Sequence, residues 1–117
     1  MYSPQLIEHF EHPRNIGEVP DASAAAQVEN PACGDIMQLS LRVEGGNIVS
    51  ARYRTRGCVA AIACGSALTE ILQGLPVAQA KSLGVSDIVR VVGQLNPEQN
   101  HATHLAIEVL RTALAKL

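Results

Sequence analysis

The sequence predicts an α+β fold: a small three-stranded antiparallel sheet with helices packed on one face. Two segments alternate between apolar and polar residues, 36–43 and 49–55, and this period of two is typical of half-buried strands. Residues 24–30 predict a third, short strand. Residues 59–74 are apolar on nearly every side, as in a buried helix, and apolar residues recur at helical spacing from 101 to the C-terminus. Strands and helices in this order favour helices layered on a small sheet.

Capping residues indicate where the remaining helices begin and end. A hydroxyl cap at Ser3, followed by proline, predicts a first helix that runs to about Phe10. Gly74 is a suitable C-terminal cap for the buried helix. Two short helices are expected over 76–83 and 86–92, before the last helix.

The register of the central hairpin follows from its polarity. A two-residue loop would set apolar residues opposite polar ones, whereas a three-residue loop over 45–47 pairs residues whose numbers sum to 92. Val43 then faces Val49, and Leu41 faces Ala51. We expect this second register.

Composition excludes several classes of function. The chain has 117 residues, 47% apolar and 17% charged, which is enough for one folded domain over residues 1–117. A net charge of −2 and an aromatic content of 3% argue against a nucleic-acid binder. No apolar run approaches the ~20 residues of a membrane span, and no signal peptide is evident. We expect a cytoplasmic protein without a nucleic-acid or membrane partner.

Three potential metal ligands converge at the open end of the hairpin. Continuing the register sets Asp35 opposite Gly57, and Gly34 opposite Cys58. Cys33 and Cys58 are therefore expected beside one another, with Asp35 between them, although 25 residues separate them in sequence. The two glycines leave room for a bulky group. This end of the sheet is the candidate functional site.

Two helix starts complete the candidate site. Cys58 stands just before the buried helix, where the helix N-terminus favours a thiolate. His101 begins the last helix after a flexible stretch, so it can reach the same place. The full set suits a borderline-soft metal ion; it comprises Cys33, Asp35, Cys58 and His101.

Each residue also has a structural interpretation. Free cysteines are common in cores, Asp35 could be a turn residue, and His101 could simply begin a helix. Cys64 lies six residues beyond Cys58, about 9 Å along a helix and on another face, so we expect it in the core. Three arginines point to the polar side of their strand, where they form a solvated face or dock an acidic partner: Arg52, Arg54 and Arg56.

Four features of the chain form a recognisable combination: PRNIG at 13–17, NPACGD at 30–35, TRGC at 55–58 and the helix that begins at 101. In this combination the sequence resembles the U-type iron–sulfur cluster assembly scaffolds, the family of IscU and the N-terminal domain of NifU. The resemblance covers nearly the whole chain. It implies the same α+β fold and a scaffold rather than an enzyme.

The resemblance also implies a function and a ligand set. Such scaffolds assemble a [2Fe–2S] cluster from iron and sulfur, receive the sulfur from a cysteine desulfurase, and pass the cluster to acceptor proteins. Zinc can occupy the same site. The matching ligand positions are Cys33, Asp35, Cys58 and His101.

The chain departs from the family pattern just around the last ligand. The family normally has a cysteine directly after the histidine, and here that residue is Ala102. The preceding segment, 95–99, reads LNPEQ where one branch of the family has Leu-Pro-Pro-x-Lys for a chaperone, so Gln99 replaces the basic residue. One ligand, the usual persulfide-accepting thiol and the chaperone motif are missing.

Three functions remain open at this point. The first is a scaffold or carrier that uses two thiolates with Asp35 and His101, and non-cysteine ligation of a [2Fe–2S] cluster has precedent in Rieske centres. The second is a zinc- or iron-binding protein of scaffold ancestry that no longer assembles clusters. The third is a cysteine enzyme using Cys58 or Cys33 with His101; nothing marks an oxyanion hole or an acyl pocket, which disfavours it.

Overall fold

The computed structural model describes residues 2–117, and it has the predicted α+β architecture. The three strands form one antiparallel sheet in the order β1-β2-β3. The elements follow the chain as α1 Pro4–Glu11, β1 Ala24–Glu29, β2 Ile36–Glu44, β3 Asn47–Arg56, α2 Val59–Leu72, α3 Val77–Ala80, α4 Val85–Val92 and α5 His101–Leu114.

The helix boundaries largely match the capping residues. The Ser3 hydroxyl accepts a hydrogen bond from the Leu6 amide at 3.0 Å, so Ser3 caps α1 as predicted. The helix predicted over 76–83 is shorter in the structure and ends at Ala80. The amides of residues 82 and 83 donate to the carbonyls three residues earlier rather than four, so the chain continues as turns instead of an α-helix. No helix within the described residues is long and apolar enough to cross a membrane.

The predicted hairpin register is correct near the site and wrong at the tip. Leu41 pairs with Ala51, as expected, but Val43 pairs with Ile48 rather than Val49. As a result Ile48 is fully buried, and Val49 is 44% exposed.

A bulge and a tight turn explain this difference together. Gly45 and Gly46 form a two-residue loop with φ of +59° and +80°, the left-handed conformation that a type I′ turn needs. An irregularity between Arg42 and Val43 shifts the register by one residue. Because of that shift, the tight turn coexists with the predicted pairing over the rest of the hairpin.

The core lies between the sheet and the helices. α2 packs on β3, and α5 packs on β1 and β2. Gly65 allows α2 to approach closely, since a Cβ at this position would come within 2.3 Å of the Tyr53 ring. The Tyr53 hydroxyl in turn donates a hydrogen bond to the Ile62 carbonyl at 2.7 Å. These contacts fix the start of α2, and with it Cys58, against the end of β3.

The loop after α1 covers part of the outer edge of β3. The Tyr53 amide donates to the Asn15 carbonyl at 3.0 Å, and the Gly17 amide donates to the Tyr53 carbonyl at 2.9 Å. The loop therefore acts as a short parallel partner for β3 around Ile16. Beyond Tyr53 the loop leaves the edge.

Candidate metal centre

Four side chains from three segments meet at the end of the sheet. The ligand atoms of Cys33, Asp35 and His101 all lie within 4.8 Å of one another. The Cys58 sulfur is 3.7 Å from Nε2 of His101, and Oδ2 of Asp35 is 3.4 Å from the same nitrogen. Cys33, Asp35 and His101 therefore form one group of potential ligands, and Cys58, which is not part of that group, adjoins it through the His101 ring.

The turn between β1 and β2 presents Cys33. The Asn30 side chain accepts a hydrogen bond from the Ala32 amide at 3.0 Å, and the Asn30 carbonyl accepts one from the Gly34 amide at 2.7 Å. Gly34 has φ of +77°, which closes the turn at little cost for a glycine. Cys33 is exposed on this turn. An asparagine before a proline is a recognisable turn signal in the sequence.

Asp35 occupies space that only a glycine leaves free. Its carboxylate is buried, at 7% exposure, and faces Gly57 across the hairpin. A Cβ on residue 57 would stand 2.7 Å from Cγ of Asp35. The pairing of Ile36 with Arg56 just before this point agrees with the predicted placement of Asp35 opposite Gly57.

A backbone carbonyl orients the His101 ring. Nδ1 lies 2.7 Å from the Glu98 carbonyl oxygen, and because a carbonyl only accepts, Nδ1 carries the proton. In the neutral ring Nε2 then has a free lone pair, directed at Asp35 and Cys58. Such an outer hydrogen bond is the usual way in which proteins fix a metal-binding histidine. Sequence patterns could not reveal this role, because any residue at 98 supplies a carbonyl.

Cys58 caps α2, but its environment opposes ionisation. Its sulfur accepts a hydrogen bond from the Ala61 amide at 3.4 Å, as expected at a helix N-terminus. Burial nevertheless raises the pKa of the Cys58 thiol, and the Asp35 carboxylate raises it further, against the lowering effect of the Ala61 amide. The helix terminus favours the thiolate as expected, through the amides of Ala61 and Ala60, but the effect of burial on the pKa is larger. A bound cation would supply the missing charge.

Cys64 and Ala102 are core residues. Cys64 is fully buried, and burial raises the pKa of its thiol to about 12, so the prediction of a core cysteine is confirmed. Ala102, next to His101, is also fully buried. In the segment before α5, two reciprocal hydrogen bonds link Asn96 and Gln99. The backbone amide of Asn96 donates to the side-chain oxygen of Gln99 at 3.4 Å, and the backbone amide of Gln99 donates to the side-chain oxygen of Asn96 at 2.9 Å. Gln99 thus helps to close the turn before α5.

Comparison with known proteins identifies the family. The family described as "NifU-like N terminal domain" matches residues 1–117. The chain is 40% identical over 115 residues to the iron–sulfur cluster assembly scaffold protein IscU of Aquifex aeolicus, covering 97% of this chain and 73% of that protein. It is 36% identical over 118 residues to the protein of the same name from Escherichia coli K12, covering 97% and 91%.

Solved structures agree on the fold. The N-terminal part of a NifU-like protein from Brucella abortus superposes with a TM-score of 0.79 at 13% identity, covering 97% of this chain and 92% of that one. FiSufU of Fervidobacterium islandicum AW-1 gives a TM-score of 0.80 at 18% identity, covering 97% and 96%. The resemblance seen in the sequence motifs is therefore confirmed, and the chain belongs to the NifU-like N-terminal domain family, which includes the IscU scaffolds.

Proposed function

We propose that this protein is an iron–sulfur cluster assembly scaffold or carrier that binds iron and a [2Fe–2S] cluster through Cys33, Asp35, Cys58 and His101. The observation that carries the proposal is the group formed by Cys33, Asp35 and His101, with the Cys58 sulfur 3.7 Å from Nε2 of His101. The names of the relatives from Aquifex aeolicus and Escherichia coli support cluster assembly as the process. A cysteine desulfurase and cluster acceptors would be the partners, in the cytoplasm.

The chemistry of the four groups fits iron and sulfide. Thiolates bind iron–sulfur clusters, and imidazole can replace thiolate on one iron of a [2Fe–2S] cluster. The Asp35 carboxylate and the His101 imidazole are harder ligands than thiolates, so they hold a cluster less firmly than four cysteines would. A weakly held cluster suits a protein that passes its cargo on.

The exposed turn gives the site room to take a cluster. A mononuclear ion brings its ligands close together, whereas a cluster with two irons requires the ligands to spread. Cys33 is exposed on the turn before β2, while Asp35 and Cys58 are more buried. An outward movement of Cys33 would therefore open the site without disturbing the sheet.

One observation favours a second candidate, a zinc- or iron-binding protein that no longer assembles clusters. With metal–ligand bonds of ~2.0–2.3 Å, tetrahedral geometry separates ligand atoms by about 3.3–3.8 Å. The distances from His101 Nε2 to Asp35 and Cys58, 3.4 and 3.7 Å, fall in this range. The replacement of the third cysteine by Ala102 fits such a site as well.

Anaerobic purification separates the two candidates. We expect brown protein with equal labile sulfide and iron, and a cluster absorbance that disappears in Cys33→Ala and Cys58→Ala but persists in Cys64→Ala. The matched control is Cys64, which is buried in the core. Colourless protein that holds one zinc ion, and forms no cluster when iron and sulfide are added, would establish the second candidate instead.

A further inference from the structure

A groove of about 460 Å³ runs along the outer edge of β3 and is lined by residues outside the candidate metal centre. Its walls are apolar and come from three segments. They are formed by Phe10, Pro13, Ile16 and Ile62, with Tyr53 and Thr55 at the base, and Arg54 also lines the groove. Ile16 is 53% exposed and adjoins the other apolar residues of the groove, so together they form a contiguous apolar patch. Within residues 2–117 the groove is therefore an open apolar surface.

The edge of the sheet is open at the base of this groove. The amide and carbonyl of Tyr53 point outward and bond the loop at Asn15 and Gly17. Because backbone groups alternate along a strand, those of Thr55 point to the same edge. No residue from 2 to 117 forms a hydrogen bond with the Thr55 amide or carbonyl; its hydroxyl bonds the Ile36 carbonyl on the opposite side. A strand edge of this kind is a template for another strand.

The positive charges of the arginines on either side of Thr55 restrict which peptide segment can pair with this edge of β3. Arg54 and Arg56 flank Thr55 and are exposed. Together with Gln38 they line the polar face of the sheet, and Arg54 also borders the groove. Arg54 has one carboxylate partner, Glu18, at 3.1 Å. Arg56 has no carboxylate within 4.0 Å in the described part of the chain. A strand beside Thr55 would direct one side chain into the groove and its two neighbours towards these arginines.

We propose that this edge is a docking site for an extended segment of a partner protein. The backbone of the segment pairs with Thr55, and its central residues alternate acidic, aliphatic, acidic. The aliphatic side chain fills the apolar groove, and the acidic ones face Arg54 and Arg56. Since the loop already occupies the edge at Tyr53, the segment runs from Thr55 towards Cys58. It thereby brings the partner next to the candidate metal centre. Strand addition of this type gains affinity from the backbone and specificity from alternate side chains.

A capped octapeptide with a central Glu-Leu-Glu tests the proposal. We expect saturable binding that slows hydrogen exchange of the Thr55 amide. Ile16→Ser should weaken binding about tenfold, which corresponds to the loss of part of one aliphatic contact. Val49→Ser is the matched control, because Val49 is 44% exposed at the other end of β3. Arg56→Glu should also weaken binding, whereas Arg90→Glu, on α4, should not.

Several results would overturn the proposal. One is equal affinity for a Lys-Leu-Lys peptide, since the two arginines would then play no part. Another is unchanged binding when each central peptide nitrogen is methylated in turn, because pairing with the Thr55 carbonyl needs one of these donors. A third is no binding at about 1 mM peptide. A dimer that dissociates in Ile16→Ser would assign the groove to a second copy of the chain instead.

Discussion

The three cysteines illustrate how strongly the environment of a residue controls its chemistry. Cys33 is exposed on a turn, Cys58 is half-buried at the start of α2, and Cys64 lies within the core. Burial raises the pKa of the thiols of Cys58 and Cys64, in the latter case to about 12. Cys33 is the only one of these three thiols that is exposed, so it is the one that reagents and partners reach most easily.

This order predicts where sulfur and alkylating agents attach. In metal-free protein near pH 8, iodoacetamide should modify Cys33 first, Cys58 at least about tenfold more slowly, and Cys64 only on unfolding. The persulfide formed with a cysteine desulfurase and free cysteine should likewise be found on Cys33, since Ala102 cannot carry one. Mass spectrometry of tryptic peptides measures both. Faster labelling of Cys58 than of Cys33 would contradict the prediction, and zinc should protect both residues if they are ligands.

Gly57 is expected to be essential for the position of Asp35. In Gly57→Ala the new methyl group would meet Cγ of Asp35 at 2.7 Å, so the carboxylate must move away from His101. We expect zinc affinity to fall about 10–100-fold, the usual effect of disturbing the support of a metal ligand. Gly84→Ala is the control, because a Cβ there meets nothing within 4 Å. An unchanged zinc Kd, measured by competition with a chelator, would show that Asp35 is not a ligand.

At the scale of elements, a buried polar contact joins α1 to α2. His9 is 6% exposed, and its Nδ1 lies 2.7 Å from the Ser66 hydroxyl, which also accepts a hydrogen bond from the Arg14 amide. The Ser66 proton is then free to donate to a neutral His9. Burial is the main cause that lowers the pKa of His9, and the nearby Arg14 adds to it; Glu70 and Glu8 act in the opposite direction. The α1–α2 contact therefore depends on an uncharged imidazole.

His9 is predicted to make the fold less stable in mild acid. Its pKa is lower in the folded state than the 6.5 of the unfolded chain, so below about pH 6.5 the unfolded state binds more protons. Stability should fall with decreasing pH in this window, by at most about 1.4 kcal/mol per pH unit from this residue. Urea unfolding at pH 7.5 and 5.5 measures the change. His9→Asn should show a smaller difference between the two pH values; an equal difference would exclude His9 as the cause.

At the scale of the whole molecule, the candidate centre connects distant parts of the chain. Cys33 and Asp35 precede β2, Cys58 precedes α2, and His101 begins α5. A ligand bound by all four stabilises the folded state over the unfolded state, in which these residues are far apart. Metal binding should therefore be visible as stability of the entire fold.

Zinc is predicted to raise the Tm of the whole protein. At a free concentration of about 100 times Kd, the added stability is about 2.7 kcal/mol, equivalent to a shift on the order of 10 °C for a domain of this size. Calorimetry with and without zinc measures it. Cys58→Ala and Cys33→Ala should lose the shift, and Cys64→Ala should keep it despite a lower starting Tm. A full shift in Cys58→Ala would remove Cys58 from the ligand set.

The sequence by itself determined most of the fold and indicated which residues form the candidate site. Alternating polarity gave the strands, because one face of the sheet is buried. Pairing Leu41 with Ala51 was enough to predict that Asp35 lies opposite Gly57, because no bulge interrupts the ladder between that pair and Ile36–Arg56. Motif spacing then brought Cys33 into the same group. These features depend on local patterns and on simple counting along strands.

Only the tertiary structure decided the rest. The tip of the hairpin closes through a two-residue turn at Gly45 and Gly46. That turn requires a pairing register one residue away from the register of the rest of the hairpin, and the bulge next to Val43 makes up the difference. The raised pKa of Cys58 and the proton on Nδ1 of His101 arise from burial and from a backbone carbonyl. The open edge at Thr55 exists because a distant loop ends its pairing at Tyr53. Such properties come from the environments that packing creates, and no residue type encodes them alone.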